Sequence, residues 1–335
     1  MNFIITNDCN KGCPYCFAST NRQLVPDNER HMKFEMFKEY IDKIPDKNRG
    51  IKLLGGEPTQ HPEFKKFFQH ILDRNRSVTL ISNFLFEDDI KDFIIEKIRD
   101  GYANRIHFLI NSTTLDVGKT RMQTFKNNYN SIYQVLYEIN YEENLSCGIT
   151  IEEDKDLKYY LQYIDFLKEN LYKIERLRIS LPFPGDEKDK GPEKIINNKD
   201  MGNKIVSIVY KAINSFIKPS IDCIILPCMF ENKEELKLIK KFAEQVRYRC
   251  GENAPTDIFS DNTMSYCYPL RETVKININK YKNLIDSSNA LISTYKIIED
   301  IVEKPDECKT CSYFKSRECN GPCLGFYNIK NIMEE

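Results

Sequence analysis

Short apolar runs alternate with amphipathic stretches through the first half of this 335-residue chain, and that alternation limits the folds open to it. The runs are Asn2–Thr6, Ile51–Leu54, Val78–Ser82, His107–Asn111, Gly148–Glu152 and Leu177–Leu181. Helix-like segments lie between them, near Phe34–Ile44, Pro62–Arg74, Phe86–Asp100, Asn130–Asn140 and Lys155–Tyr172. Runs that short suit strands, and helices between successive strands require a parallel sheet with right-handed crossovers. The expected class is α/β. Six strands fit an open, partial (β/α)6 TIM-like barrel better than a closed barrel of eight, although periodicity alone leaves a doubly wound sheet open.

The breakers Leu181-Pro182-Phe183-Pro184-Gly185 close this region, so residues 1–185 are expected to form the core barrel. The charged Asp186–Asp200 stretch reads as an exposed linker or lid, and a helix over Gly202–Phe216 completes a bridging segment, 186–232. A helix over Lys233–Arg249 opens the remainder, 233–335, which after Cys250 reads as turns and short strands punctuated by cysteines.

A net charge of −1 argues against bulk electrostatic binding of nucleic acid. No apolar run approaches the ~18–20 residues that span a bilayer, and polar Thr6, Asn7 and Asp8 interrupt the opening run before it can form a signal peptide. The expected location is cytoplasmic, with no membrane and no nucleic-acid partner. Twelve cysteines then need a reason, because cytosolic thiols stay reduced and clustered ones bind metal or act in catalysis. They gather at the two ends of the chain. Cys147 stands apart on a strand and is expected in the core.

The first cluster, Cys9-x3-Cys13-x2-Cys16, follows the first strand directly. Three thiolates in one loop suit three irons of a cubane and leave the fourth iron open. Free thiols or a zinc knuckle fit less well, since the nearest histidine, His31, has no zinc spacing. The triplet, with Tyr15 before its last cysteine, resembles the signature of the radical S-adenosylmethionine (SAM) superfamily. The resemblance runs through about half the chain. It implies that Cys9, Cys13 and Cys16 hold a [4Fe–4S] cluster, that SAM binds the open iron, and that Tyr15 packs beside the adenine. It also implies that Gly55-Gly56-Glu57-Pro58, after the second strand, binds the methionine amino group. Asn83, where relatives carry Thr-Asn-Gly but Phe84 replaces the glycine, corresponds to a strand-end position near SAM. Ser112 and Arg178, with Ser180, occupy others; the plain alternative for each is a polar cap on the next turn. In such enzymes an electron cleaves SAM to a 5′-deoxyadenosyl radical, which abstracts hydrogen from substrate, while the protein orients the reactants and excludes water.

At the other end, Cys308-x2-Cys311-x7-Cys319-x3-Cys323 follows Cys250 and Cys267, which flank a hairpin-like stretch with Asp261-Asn262 at its turn. This is similar to the SPASM and twitch extensions that carry auxiliary iron–sulfur clusters, with a zinc ribbon as the alternative. It departs from the full pattern in having seven residues rather than five between Cys311 and Cys319, and no cysteine after Cys323. A single cluster would use Cys250, Cys267, Cys308 and Cys311. Two clusters would use Cys250, Cys267 and Cys323 with either Cys228 or Cys223, and Cys308, Cys311 and Cys319 with one ligand missing. A remaining thiol such as Cys223 would be buried or donate a hydrogen atom.

Enzymes resembling this architecture modify peptides by crosslinking, thioether formation, epimerisation or oxidation, so the expected substrate is a ribosomal precursor peptide or a protein. The first strand begins at residue 2, so a leader is expected to need a separate binding protein or a groove on the barrel, and an electron donor such as flavodoxin or ferredoxin is expected too. The competing readings are a dehydrogenase of a small sugar-like molecule and a non-catalytic iron–sulfur or zinc protein.

Overall fold

A computed structural model describes the chain except residues 14, 17, 19–24, 45–49, 112–117, 153, 184–189, 251–255 and 330–335. One ten-stranded sheet organises it, in the order β10-β9-β8-β1-β2-β3-β4-β5-β6-β7. The strands expected from sequence appear as β1 (Asn2–Thr6), β2 (Ile51–Gly55), β3 (Val78–Ser82), β4 (Ile106–Asn111), β5 (Leu145–Thr150) and β6 (Arg176–Ser180). Two more extend the parallel run. β7 (Lys218–Ile221) pairs with β6, and β8 (Asp257–Ile258) pairs with β1. β9 (Thr263–Ser265) returns antiparallel to β8, and β10 (Lys275–Asn277) pairs antiparallel with β9. β7 and β8 are four and two residues long and hold a proline or a charge, so no apolar run announced them.

Helices α1 (Phe34–Asp42), α2 (Phe64–Asp73), α3 (Asp88–Lys97), α4 (Lys119–Glu138), α5 (Leu157–Asn170) and α6 (Lys199–Asn214) connect the parallel strands. Alternate residues divide the sheet's two faces. Leu53, Leu80, Phe108, Cys147 and Leu177 are wholly buried within the main core, whereas Lys52, Thr79, His107, Ser146 and Arg176 line the less buried inner face. Asp156 and Asn198 cap α5 and α6 by accepting from Tyr159 N–H at 2.8 Å and Met201 N–H at 3.0 Å.

The last third differs from its sequence reading in two ways. Helix α7 (Lys233–Phe242) ends well before Arg249. An 18-residue helix, α8 (Leu284–Ile301), stands where only turns and short strands were expected; α9 (Asp306–Thr310) and α10 (Ser312–Lys315) follow it. Leu284, Leu291, Tyr295 and Ile298 do bury one face of α8 at helical spacing. The Ser, Thr and Ile residues between them lower helix propensity and obscured that period. The hairpin expected around Asp261-Asn262 is present. Asn262 takes φ 61°, and Asp261 accepts from Thr263 N–H at 3.0 Å.

Candidate active site

The cysteine triplet leaves the C-terminal end of β1, where two glycines of the neighbouring strand press against it. A Cβ on Gly55 would lie 2.1 Å from the Thr6 carbonyl oxygen, and one on Gly56 would lie 2.1 Å from that of Asp8. The approach is fixed by Gly56 N–H donating to Thr6 O at 2.8 Å and Glu57 N–H to Asp8 O at 2.7 Å. The glycines thus serve the frame of the cysteine loop. Asp8, just before Cys9, is held by Arg30 at 3.1 Å and His31 at 3.4 Å. Cys9, Cys13 and Cys16 are half-buried and unbridged, and Cys16 N–H closes a turn onto Cys13 O at 3.1 Å.

Glu57 is buried where β2 and β3 end. Its carboxylate accepts from Ser82 Oγ at 2.8 Å, Thr59 Oγ1 at 2.7 Å and the Asn83 N–H at 2.7 Å. Burial raises its pKa, and these donors oppose the rise. Pro58, also buried, opens the turn that carries Thr59. Asn83 donates to Asn10 Oδ1 at 2.8 Å and accepts from Leu85 N–H at 2.8 Å; Asn10 in turn donates to Leu85 O at 2.8 Å. The side chains of Glu57 and Asn83 therefore tie the second and third strands to the cysteine loop.

Tyr15 lies among Cys13, Glu152 and Tyr163, and its hydroxyl is held protonated chiefly by burial and then by the Cys13 thiol. Glu152, buried just past β5, is a site-facing carboxylate that the sequence reading did not single out. Its place at the end of an apolar run was the available sign. Farther along the inner face of the sheet, Arg178 donates to Asn111 Oδ1 at 2.7 Å and to Asp222 Oδ2 at 2.9 Å. Gly148, on the strand between, makes this crossing possible, since a Cβ there would meet Asn111 Oδ1 at 3.0 Å and Arg178 Nε at 3.3 Å. Asn111, not chosen from sequence, is the β4 partner here; Ser112 lies outside the described residues.

The remaining cysteines fall into two neighbourhoods. Cys250 shares a hydrogen bond with Cys323 that lowers its pKa to about 7, and Cys267 and Cys223 lie in the field of the same thiol. Burial pushes Cys223 and Cys267 up, while the bond to Cys250 leads the rise at Cys323. Cys223 adopts φ 58°, a left-handed turn unusual for a residue with a side chain, directly after the Asp222 that holds Arg178. In the second neighbourhood Cys319 lies near Cys228, Cys308 and Cys311. Burial raises Cys308 and Cys319 to about 11 each. Cys228 and Cys223 thus sit in different groups. Cys147 is buried in the core, as expected from sequence.

Residues 3–158 match the family model described as the Radical SAM superfamily. Those residues therefore form a radical SAM domain. No curated protein matches it. Among solved structures, Streptococcus suis SuiB bound to S-adenosylmethionine aligns with a TM-score of 0.66 and 16% identity, covering 100% of this chain and 73% of that one. SuiB bound to its precursor peptide SuiA aligns with a TM-score of 0.65 and 16% identity, covering 100% and 72%. At that identity the likeness establishes the fold.

Radical SAM enzymes use a [4Fe–4S] cluster and SAM, and the residues present fit both. The three triplet thiols are reduced and partly accessible in a loop that the Gly55–Gly56 contacts fix. Among the described residues, no three Cys, His, Asp or Glu side chains converge closely enough to grip a single metal ion. Among the described residues, no helix is long and apolar enough to cross a membrane.

Proposed function

We propose that this radical SAM enzyme matures a ribosomally made peptide in the cytosol. The observation that carries the reading is the full-length likeness to a fold solved with a precursor peptide bound, joined to the two cysteine neighbourhoods. In this reading Cys9, Cys13 and Cys16 bind the SAM-activating cluster. Gly55, Gly56, Glu57 and Pro58 form the backbone corner for the methionine end of SAM. Tyr15 flanks the adenine, and Asn83, Ser112 and Arg178 border the remaining contacts. When bound, the cluster and SAM supply a 5′-deoxyadenosyl radical that takes a hydrogen atom from substrate.

The protein's own part is orientation and exclusion. Glu57 and Asn83 hold the strand ends rigid beneath the reacting groups, and rigid placement lowers the barrier by removing the need to order reactants. The Arg178–Asn111 bridge fixes polar groups across Gly148 on the inner face. Cys223, Cys250, Cys267 and Cys323 form one auxiliary ligand set, and Cys228, Cys308, Cys311 and Cys319 a second. This assignment gives the second set the ligand that sequence spacing left missing. Cys223 is then a ligand rather than a hydrogen donor. Two auxiliary clusters suit an oxidative outcome, in which a substrate radical loses an electron.

The test is to incubate reconstituted enzyme with dithionite, SAM and any short peptide found encoded beside its gene. The expected result is 5′-deoxyadenosine together with a peptide lighter by the mass of two hydrogens for a crosslink or oxidation; unchanged mass with an inverted residue marks epimerisation. 5′-Deoxyadenosine formed while the peptide stays unaltered and a small sugar-like alcohol is oxidised would overturn the peptide reading.

A further inference from the structure

We infer that the exposed basic face made by the end of α7 and the coil after it is the docking surface for an acidic one-electron carrier protein. Lys240, Lys241, Arg247, Arg249 and Arg317 are all exposed there, interspersed with the carboxylates Glu244 and Glu318. The chain as a whole is nearly neutral, so this concentration is local. Lys240 and Lys241 occupy the last turn of α7, where the helix dipole favours cations. That reason does not extend to Arg247, Arg249 and Arg317, which lie beyond helices.

Contacts join this face to both cysteine neighbourhoods. Arg247 Nε donates to the Cys223 carbonyl at 3.3 Å, at the first. Arg249 Nη1 donates to the Arg317 carbonyl at 2.9 Å, two residues from Cys319 of the second. Lys240 Nζ stands 4.8 Å from the centre of the Tyr248 ring, and Tyr248 lies near Cys319 and packs edge-on against Tyr313 at 6.3 Å. Phe242, 43% exposed with Lys241 Nζ 5.0 Å from its ring, adds an apolar anchor among the cations. A basic rim around exposed aromatic surface steers and seats a partner of opposite charge. Because the cations lie over cysteines assigned to redox clusters, the partner chemistry is a small acidic protein carrying a flavin or an iron–sulfur group, which would give up one electron to an auxiliary cluster that would pass it to the SAM-binding cluster, leaving the carrier oxidised by one electron. The inference rests on that auxiliary-cluster reading.

The test uses the reconstituted full chain and a reduced acidic flavodoxin. Binding is measured against salt concentration for the wild type, for the combined variant Lys240→Glu, Lys241→Glu, Arg317→Glu, and for a control reversing Lys38, Lys65 and Lys66 on α1 and α2. The basic-face variant is expected to bind about tenfold or more weakly and to lose most of the wild type's salt dependence. Its flavodoxin-driven 5′-deoxyadenosine formation falls while its dithionite-driven rate stays at the wild-type level, and the control binds normally. Unchanged flavodoxin binding at a full iron count overturns the docking surface. Selective loss of precursor peptide instead overturns it by making the face a substrate site. An iron count of about one cluster per chain overturns the auxiliary reading and, with it, the reason for this partner.

Discussion

Gly56 and Asp8 meet so closely that a single methyl group on Gly56 would sit 2.1 Å from the Asp8 carbonyl oxygen. The strand carrying the glycines and the loop carrying the cysteines are thus one unit, with the Glu57 N–H bonded to the same oxygen at 2.7 Å. Gly56→Ala must push the backbone before Cys9 outward. Overpacking of this kind costs about 1–3 kcal/mol, and here the strain falls on Cys9, the first cysteine of the triplet. The expected outcome is a lower melting temperature and a loss of iron from the triplet site. Wild-type iron content and melting in the variant would contradict the arrangement.

Glu57 presents acceptors only, and Ser82, Thr59 and the Asn83 N–H all donate to it. Glu57→Gln keeps the size but turns one acceptor into a donor facing a donor. Leaving a buried donor unmatched costs about 1–3 kcal/mol. Denaturant unfolding of the variant should show that loss, and SAM affinity should fall because the corner at Gly55–Pro58 loosens. A variant as stable as wild type would show that the carboxylate is already protonated or dispensable.

His61 is held in one neutral tautomer, with Nε2–H donating to Met32 O at 3.0 Å and Nδ1 accepting from Glu63 N–H at 3.0 Å. Burial lowers its pKa to about 4, below the unbonded value of 6.5. The unfolded chain therefore takes up this proton before the folded chain does. Stability is full above about pH 6.5 and declines as pH falls toward 4, by on the order of 3 kcal/mol if this group acts alone. His61→Gln removes the titration, so its unfolding free energy should change less across that window. A parallel decline in both proteins would assign the acid sensitivity to other groups.

Arg178 and Asn111 act as a pair across Gly148. Arg178→Ala should lower peptide modification at least tenfold, and Asn111→Ala less. The double variant should be no worse than Arg178→Ala alone, giving a coupling of about 0.5–3 kcal/mol. Fully additive losses would mean that the two residues work separately.

Iron analysis separates the cysteine sets. Three cubanes give about twelve irons per chain, and alanine at Cys9, Cys13 and Cys16 together should leave about eight. Cys228→Ala and Cys223→Ala should each reduce a different auxiliary signal in electron paramagnetic resonance spectra. Identical spectra from the two variants would merge the sets that the structure keeps apart.

Much of this is legible in the sequence. Runs such as Val78–Ser82 appear as strands with the same bounds because a strand buried on one face must be apolar there. The triplet and Gly55-Gly56 were visible because short spacings survive without knowledge of the fold. Which of Cys223 and Cys228 joins which set was not legible, since the two are separated by a turn whose left-handed Cys223 depends on its tertiary neighbours. Asn111 was hidden for a similar reason. Its meaning comes from Arg178, 67 residues away in sequence. The α8 helix escaped because Ser and Thr residues between its buried positions masked a real period.

The pairing of β1 with β8 sets an order on the birth of this protein. Asn2 and Phe3 align with Asp257 and Ile258, so one side of the strand that launches the cysteine triplet waits for a segment translated far later. Closing so long a loop is slow relative to local helix formation. On the ribosome the barrel's helices and β2–β6 can gather while that flank stays open. The triplet loop gains its finished surroundings only after most of the chain has emerged, so the last-made third of the polypeptide completes the frame around the first-made loop.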